Sequence, residues 1–193
     1  LGSVTIDASK TLTINAGQTL TAVGATDING TLSIAGTGKY DANGAFDATN
    51  GIIDFTGTGK LECSNTVTSL GTLSTGAGTV EYDGGAQDVL ADAYYNLEID
   101  QSGTKTSQGT ITVAGDMTVQ SGATYAVAAT TTTVTGTSDI NGTTSISTGT
   151  YNADGLSDVD GTISITGTGK YDADAEFDAT SGNVTFTGAG RLE

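Results

Sequence analysis

Apolar residues along this chain come in pairs two apart, with a polar residue between them and about six to eight residues from one pair to the next. One series reads Leu12/Ile14, Leu32/Ile34, Ile53/Phe55, then Thr144/Ile146, Ile163/Ile165 and Val184/Phe186. A second reads Leu20/Ala22, Tyr40/Ala42, Leu61/Cys63, then Tyr151/Ala153 and Tyr171/Ala173. The third reads Ile6/Ala8, Thr26/Ile28, Phe46/Ala48, then Ser138/Ile140, Ser157/Val159 and Phe177/Ala179. Residues two apart on an extended strand point to the same side, so each pair predicts a short strand with two side chains inward and one outward. The three series alternate in a fixed order with a period of 19 to 21 residues. That predicts an all-β fold, a parallel β-solenoid with three short strands per coil and a triangular cross-section, in which each inward column is buried against its copy in the next coil. At roughly 4.8 Å per coil, about nine coils would make a rod about 45 Å long. Tandem β-sandwiches are the rival fold, but their strands recur every 8 to 12 residues or so without a short self-similar unit.

A longer repeat lies over the short one. Residues 26–62 match residues 157–193 at an offset of 131, with 23 of 37 positions identical, and with small slips the match covers 1–62 against 132–193. Leu192 and Glu193 align with Leu61 and Glu62, so they read as native sequence. The chain is therefore expected to be one continuous solenoid, residues 1–193, with two copies of one segment flanking a less regular middle, 63–131. In that middle, strands are expected at Val80/Tyr82, Leu97/Ile99, Ile111/Val113, Met117/Val119 and Tyr125/Val127. Segments 64–77, 83–94 and 100–109 read as bulging loops.

Corners before the first strand carry Asn29-Gly30, Asn50-Gly51, Asn141-Gly142, Asp160-Gly161 and Ser181-Gly182, where a tight bend is expected to need the positive φ that glycine supplies. A second corner reads AGTGK at 35–39, TGTGK at 56–60 and 166–170, and TGAGR at 187–191. It lacks the four-residue spacer, the following Ser or Thr and the helix of a phosphate-binding loop, so it reads as a turn into the second strand. Helix is disfavoured throughout, because 38 Thr, 29 Gly and 15 Ser are poor helix formers and no 3.6 period is sustained.

Charge and composition narrow the function classes. Twenty-two acidic and six basic residues give a net charge of -16, a field that repels phosphate backbones and anionic lipid. No nucleic-acid partner and no membrane insertion are expected, since no run approaches the roughly 18 apolar residues of a span. With no His, Ser-His-Asp and Cys-His catalytic arrangements and His-ligated zinc are excluded. The single Cys permits no internal disulfide. Scarce Lys, abundant Thr and Gly and strong acidity fit an exported protein, and the absence of an initial Met fits a segment of something longer.

Several outward positions carry candidate chemistry. Between the inward pair of the third strand stand Asp7, Asp27 and Asp47 in one block and Asp139, Asp158 and Asp178 in the other. Carboxylates stacked about 4.8 Å apart repel by roughly 1 kcal/mol per neighbour in water. Calcium, which takes six to eight oxygens, would relieve this, with Asn29, Asn141 and Asp160 as further ligands two residues on. No cofactor is required otherwise. Lys39, Lys60, Lys170 and Arg191 each precede by two residues an outward Asp41, Glu62, Asp172 or Glu193, which reads as charge balancing or a lateral docking stripe. The outward rank of the first strand, Thr13, Ser33 and Asp54, then Ser145, Ser164 and Thr185, raises ice binding as an alternative function, against which stand Asp54 and, if Val80/Tyr82 continues that column, Glu81. Cys63 falls in a column of alanines and is expected to be a buried structural thiol, as Asn29, Gly30, Asn50, Gly51, Asn141, Gly142, Gly161 and Gly182 are expected to be structural corner residues. Tyr94 and Tyr95 are adjacent, so only one can face inward; the exposed one is a candidate carbohydrate or protein contact.

The stretch GTVEYDGGAQDVLADAYYNLEI at 78–99, with its flanking coils, resembles the repeat regions of large secreted bacterial surface proteins and adhesins built as parallel β-solenoids. The resemblance implies an extracellular or bacterial cell-surface location and a stalk, adhesive fibre or self-assembling filament. Its implied partners are further copies or neighbouring repeats of the same protein, and a glycan or cell-surface receptor. The expected function is a non-enzymatic, rigid acidic rod. A solenoid that binds or cleaves polysaccharide is the alternative, with stacked Asp residues as acid and base, but acids recurring in every coil read as structural repeats rather than a single catalytic pair.

Overall fold

The computed structural model describes residues 1–74 and 76–193. They form two compact units, Leu1–Gly84 and Gly85–Glu193. In each, strands one coil apart pair parallel, and the turns of chain stack as a β-solenoid with three strands per coil.

In the first unit the first strands are Thr11–Ile14, Thr31–Ile34, Ile52–Phe55 and Thr72–Leu73. Second strands are Thr19–Ala22, Lys39–Ala42, Lys60–Cys63 and Thr79–Tyr82, and third strands Val4–Ile6, Thr26–Ile28, Phe46–Asp47 and Val67–Ser69. Register sets like over like: Leu12 beside Leu32 beside Ile53, and Ala22 beside Ala42 beside Cys63. Ile28, Leu32, Ile34, Tyr40, Ala42, Ile53 and Leu61 are wholly buried, so the core is a set of short ladders rather than a globular centre.

The second unit repeats the plan. Its first strands are Gln87–Val89, Gly103–Ser107, Ala123–Val127, Thr143–Ile146, Thr162–Gly167 and Asn183–Gly188. Second strands run Ala93–Tyr94, Ile111–Val113, Thr131–Val134, Thr150–Ala153, Lys170–Ala173 and Arg191–Leu192. The third are Asn96–Ile99, Met117–Val119, Ser138–Ile140, Ser157–Val159 and Phe177–Asp178. Tyr151 stacks on Tyr171 with ring centroids 5.0 Å apart, one inward column continued as an aromatic stack.

Buried phenols are matched to buried hydroxyls. Tyr40 Oη lies 2.9 Å from Thr26 Oγ1, Tyr151 donates to Ser138 Oγ at 3.0 Å, and Tyr171 donates to Ser157 Oγ at 2.9 Å. Each links a second strand to the third strand that precedes it. Where the second-strand position is Leu20, Leu61 or Leu192 instead, the corresponding third-strand position is Val4, Phe46 or Phe177. A phenol thus appears where its hydroxyl finds a partner, as burial of a polar group requires.

Four expectations need correction. Segments 83–94 and 100–109 and the described residues of 64–77 are turns of the solenoid, not bulging loops: they contain Val67–Ser69 and Thr72–Leu73, Gln87–Val89 and Ala93–Tyr94, and Gly103–Ser107, while residue 75 lies outside the described residues. Polar side chains fill inward positions there, Lys105 and Ser107 being fully or almost fully buried, so the apolar alternation disappears while the strand remains. Asp7 stands outside the acidic column, because the inward pair of its strand is Val4/Ile6 and Thr5 is the neighbour of Asp27. A tight turn closed by Lys10 N–H on the Asp7 carbonyl, with Ser9 at φ 65°, ends the strand one residue too early for it. Val80/Tyr82 continues the second column rather than the first, placing Glu81 beside Glu62.

Finally, Gly30, Gly51, Gly142, Gly161 and Gly182 all have ordinary φ. They are corner residues for a different reason: a Cβ at Gly30 would run into the carbonyl oxygens of Lys10 and Asp7, and one at Gly161 into that of Gly142. Close approach of successive coils excludes a side chain. Positive φ occurs at the other corner, at Gly36 and Gly167 (both 55°), and before the first strand in coils outside this set, at Gly71 (63°) and Gly122 (87°).

Candidate functional site

The outward positions form three faces on each unit, and their chemistry differs. On the third-strand face, Asp27 lies beside Asp47 in the first unit, and Asp139, Asp158 and Asp178 follow one another in the second. Short-range donors hold these carboxylates. Asn29 Nδ2 donates to Asp27 at 3.0 Å and Asn141 Nδ2 to Asp139 at 2.7 Å. Thr49 and Thr180 each donate both their N–H and their hydroxyl to the Asp two residues earlier, Asp47 and Asp178.

Asparagine at 29 and 141 is therefore bonded to the acid it was expected to assist, and Asn50 donates to Asn29 Oδ1 at 3.2 Å. Asp160 is exposed, as are Asp7, Asp27, Asp158 and Asp178. Burial, then the neighbouring Asp158 charge, raises the pKa of Asp139, with Asp160 adding to the shift and the Asn141 amide opposing it. The hydroxyl and N–H of Thr180 hold Asp178 below the ordinary carboxylate value. Among the described residues, no three of these acidic candidates bring their carboxylate oxygens within 4.8 Å of one another.

The second-strand face carries four of the six basic residues, and most of their partners lie in the next coil. Lys39 reaches Glu62 at 2.7 Å and Lys60 reaches Glu81 at 2.6 Å. Lys170 bridges Asp172 of its own strand and Glu193 of the next, at 2.7 and 2.8 Å, and Arg191 pairs with Glu193. The Glu62 hydrogen bond is the main cause that raises the Lys39 pKa. These pairs tie coil to coil in the direction of stacking, each worth little alone at a partly wet surface.

Cys63 is wholly buried between Ala42 and Tyr82 in its column, and burial, reinforced by Asp83, Glu62 and Glu81, pushes its thiol far above the reactive range. Of the adjacent tyrosines, Tyr94 faces inward and donates to the Leu90 carbonyl at 2.7 Å, whereas Tyr95 is 40% exposed with its ring against Gly115. Lys105, in a segment whose pattern predicts a loop, is fully buried and donates to the carbonyls of Gln101 (2.8 Å) and Ser102 (3.3 Å). Gln101, whose carbonyl accepts the shorter of these bonds, sits at φ 57°, a backbone feature that no residue pattern announces.

The first-strand face differs between units. In the first it carries Thr11, Thr13, Thr31 and Ser33, then Ile52 and Asp54, with Ser33 donating to Asp54 at 3.5 Å. In the second it carries two unbroken files. Thr104, Thr124, Thr143 and Thr162 are register partners in succession, ending at Asn183. Beside them run Thr106, Ala126, Ser145, Ser164 and Thr185. Asp88 stands at the edge of this sheet and accepts from Gln108 at 2.7 Å.

Comparison of the chain with protein-family models, with curated proteins and with solved structures returned no match.

Proposed function

We propose that this chain is a non-enzymatic structural segment of a repetitive bacterial surface fibre or adhesin, a stiff, acidic, extracellular rod. The observation that carries the reading is the in-register stacking of near-identical coils: Leu32 lies over Ile53, Ile34 over Phe55, Tyr151 over Tyr171. An architecture whose every coil contacts only its neighbours is lengthened by adding coils, as a stalk requires, and needs no single centre. The outward acids and the inter-coil ion pairs recur with the coil rather than gather at one place, which favours a role along the length of the fibre. The charge of -16 keeps such a rod soluble.

Small-angle scattering of the whole chain tests the rod. A cross-sectional radius that stays constant along an elongated particle supports it, and a sphere of the same mass overturns it. Filament growth by self-association is the second part of the proposal, and a monodisperse monomer in light scattering at high concentration removes it. Retention on a glycan array separates an adhesin, with Tyr95 as the exposed aromatic contact, from a passive spacer. Calcium on the Asp27 and Asp139 ladders is checked by thermal melts with and without chelator, where an unchanged midpoint at millimolar calcium ends the idea.

A further inference from the structure

We infer that the first-strand face of the second unit is an ice-binding surface. Three observations converge on it. First, spacing: neighbours within a file, on adjacent parallel strands, are about 4.8 Å apart, and the two files, two residues apart along each strand, are separated by about 6.7 Å. This two-dimensional net is close to the oxygen repeat on a prism plane of ice, and it continues over five strands without a register shift.

Second, charge. The second unit holds 14 of the 22 acidic residues, and on this face one of them is exposed, Asp88 on the edge strand beside Thr106, where it accepts from Gln108; none occupies the outward positions of the five strands from Gly103–Ser107 to Asn183–Gly188, and the surface inferred is that of these five. The one lysine in those strands, Lys105, points inward. Ions orient water around themselves and against a lattice, so an uncharged face is what a crystal of water would require. Of the two acids that spoke against such a face in sequence, Glu81 belongs to a second strand, and Asp54 interrupts only the first unit.

Third, the hydroxyls are uncommitted. On the third-strand face the polar groups bond to one another, as Asn141 does to Asp139 and Gln120 to Glu98 at 2.6 Å. Among the described residues, the hydroxyls of Thr124, Thr143, Ser145, Thr162 and Ser164 make no hydrogen bond within the protein. They are left to order water at fixed spacing, with the threonine methyl groups between them. A polysaccharide fits the face less well, because no aromatic ring stands among these positions to stack on a sugar. A second copy of the chain fits less well too. Five strands give a patch of about 20 Å by 10 Å, or roughly 200 Å², against the ~800 Å² per partner of a stable interface.

The test uses the whole chain, labelled with a fluorophore and shown to be monomeric by light scattering. Slow growth of an ice hemisphere in its presence should concentrate the label in the ice, and recrystallisation of fine-grained ice should be suppressed. Thr143→Tyr and, separately, Ser145→Lys should each lower both readouts at least several-fold. Thr13→Tyr, on the interrupted face of the first unit, should leave them unchanged. Circular dichroism and the melting midpoint of each variant establish that the fold is retained; aromatic residues are well tolerated on strands, and Lys gives a second route if Tyr is not. Exclusion of the unsubstituted protein from ice overturns the inference. So does full activity in both face variants, or equal loss in the Thr13 control. A concentration-dependent dimer that Thr143→Tyr dissolves would assign the face to a second copy instead.

Discussion

Thr26 and Tyr40 show how single residues decide the interior of each coil. Tyr40 is wholly buried, and its hydroxyl is matched by Thr26 Oγ1 at 2.9 Å. Thr26→Val keeps shape and removes the partner, so it should cost about 1–3 kcal/mol in urea unfolding with an unchanged denaturant slope. One coil on, the same two positions hold Phe46 and Leu61. The double substitution Thr26→Phe with Tyr40→Leu should therefore recover most of that loss, because removing both polar partners leaves nothing unsatisfied. If the double variant is as unstable as the sum of the singles, the matching of phenol to hydroxyl is coincidence. Cys63 gives a second residue-level expectation. Full burial and a strongly raised pKa make its thiol inert, so a bulky thiol reagent should label the chain only at denaturant concentrations that unfold it. Prompt labelling of the native protein would contradict the inward placement.

At the level of the strand, the ladder Asp139–Asp158–Asp178 is a repeated cost that local hydrogen bonds offset only in part. Asp139 carries a raised pKa, mainly from burial and then from Asp158. Its neutral form is thus favoured by folding: the contribution to stability is present at pH below the ordinary carboxylate value and is lost as pH rises through the raised one. Asp139→Asn should accordingly stabilise the chain at neutral pH, by at most about 1 kcal/mol given its partial exposure. The gain should vanish in acid, where the aspartate is protonated anyway. A melt series from neutral pH into acid checks this, and a gain that persists in acid would point to a packing effect instead. These ladders were legible in sequence because Asp recurs at the coil period, and so were the inward columns, because Leu, Ile and Tyr do. The strands Gln87–Val89 and Gly103–Ser107 were not, because Gln87, Lys105 and Ser107 take inward positions that elsewhere hold apolar residues. Register at Asp7 was missed for a backbone reason: the turn that ends its strand depends on Ser9 entering the left-handed region. The corner glycines were found for the wrong reason, since crowding between successive coils leaves no trace in the pattern of a single coil.

Over the whole molecule, stability should be sensitive to alkali, and the reason is the tyrosine content of the core. Tyr40, Tyr125, Tyr151 and Tyr171 are all fully buried, and burial is the largest cause raising each phenol. Tyr171 is pushed up to about 12, and Tyr125 and Tyr151 lie higher still. An unfolded tyrosine ionises near pH 10. Below that value the folded and unfolded chains bind the same protons at these sites, and the stabilisation is fully present. Above it the unfolded chain releases protons that the folded one retains, so stability falls as pH rises towards the folded values, by about 1.4 kcal/mol per pH unit for each phenol still neutral in the fold. The raised pKa of Lys39 acts in the same direction, its ion pair being lost as pH rises through the folded value. Three such phenols in the second unit would remove about 8 kcal/mol within two pH units, a large part of the 5–15 kcal/mol or so of a typical domain. Tyrosinate absorbance and far-ultraviolet circular dichroism, followed together through an alkaline titration, should therefore change in one cooperative step between about pH 10 and 12. Smooth ionisation of the tyrosines near pH 10 with the β-signal intact would show that the phenols reach solvent in the folded chain, and that the coils do not enclose them.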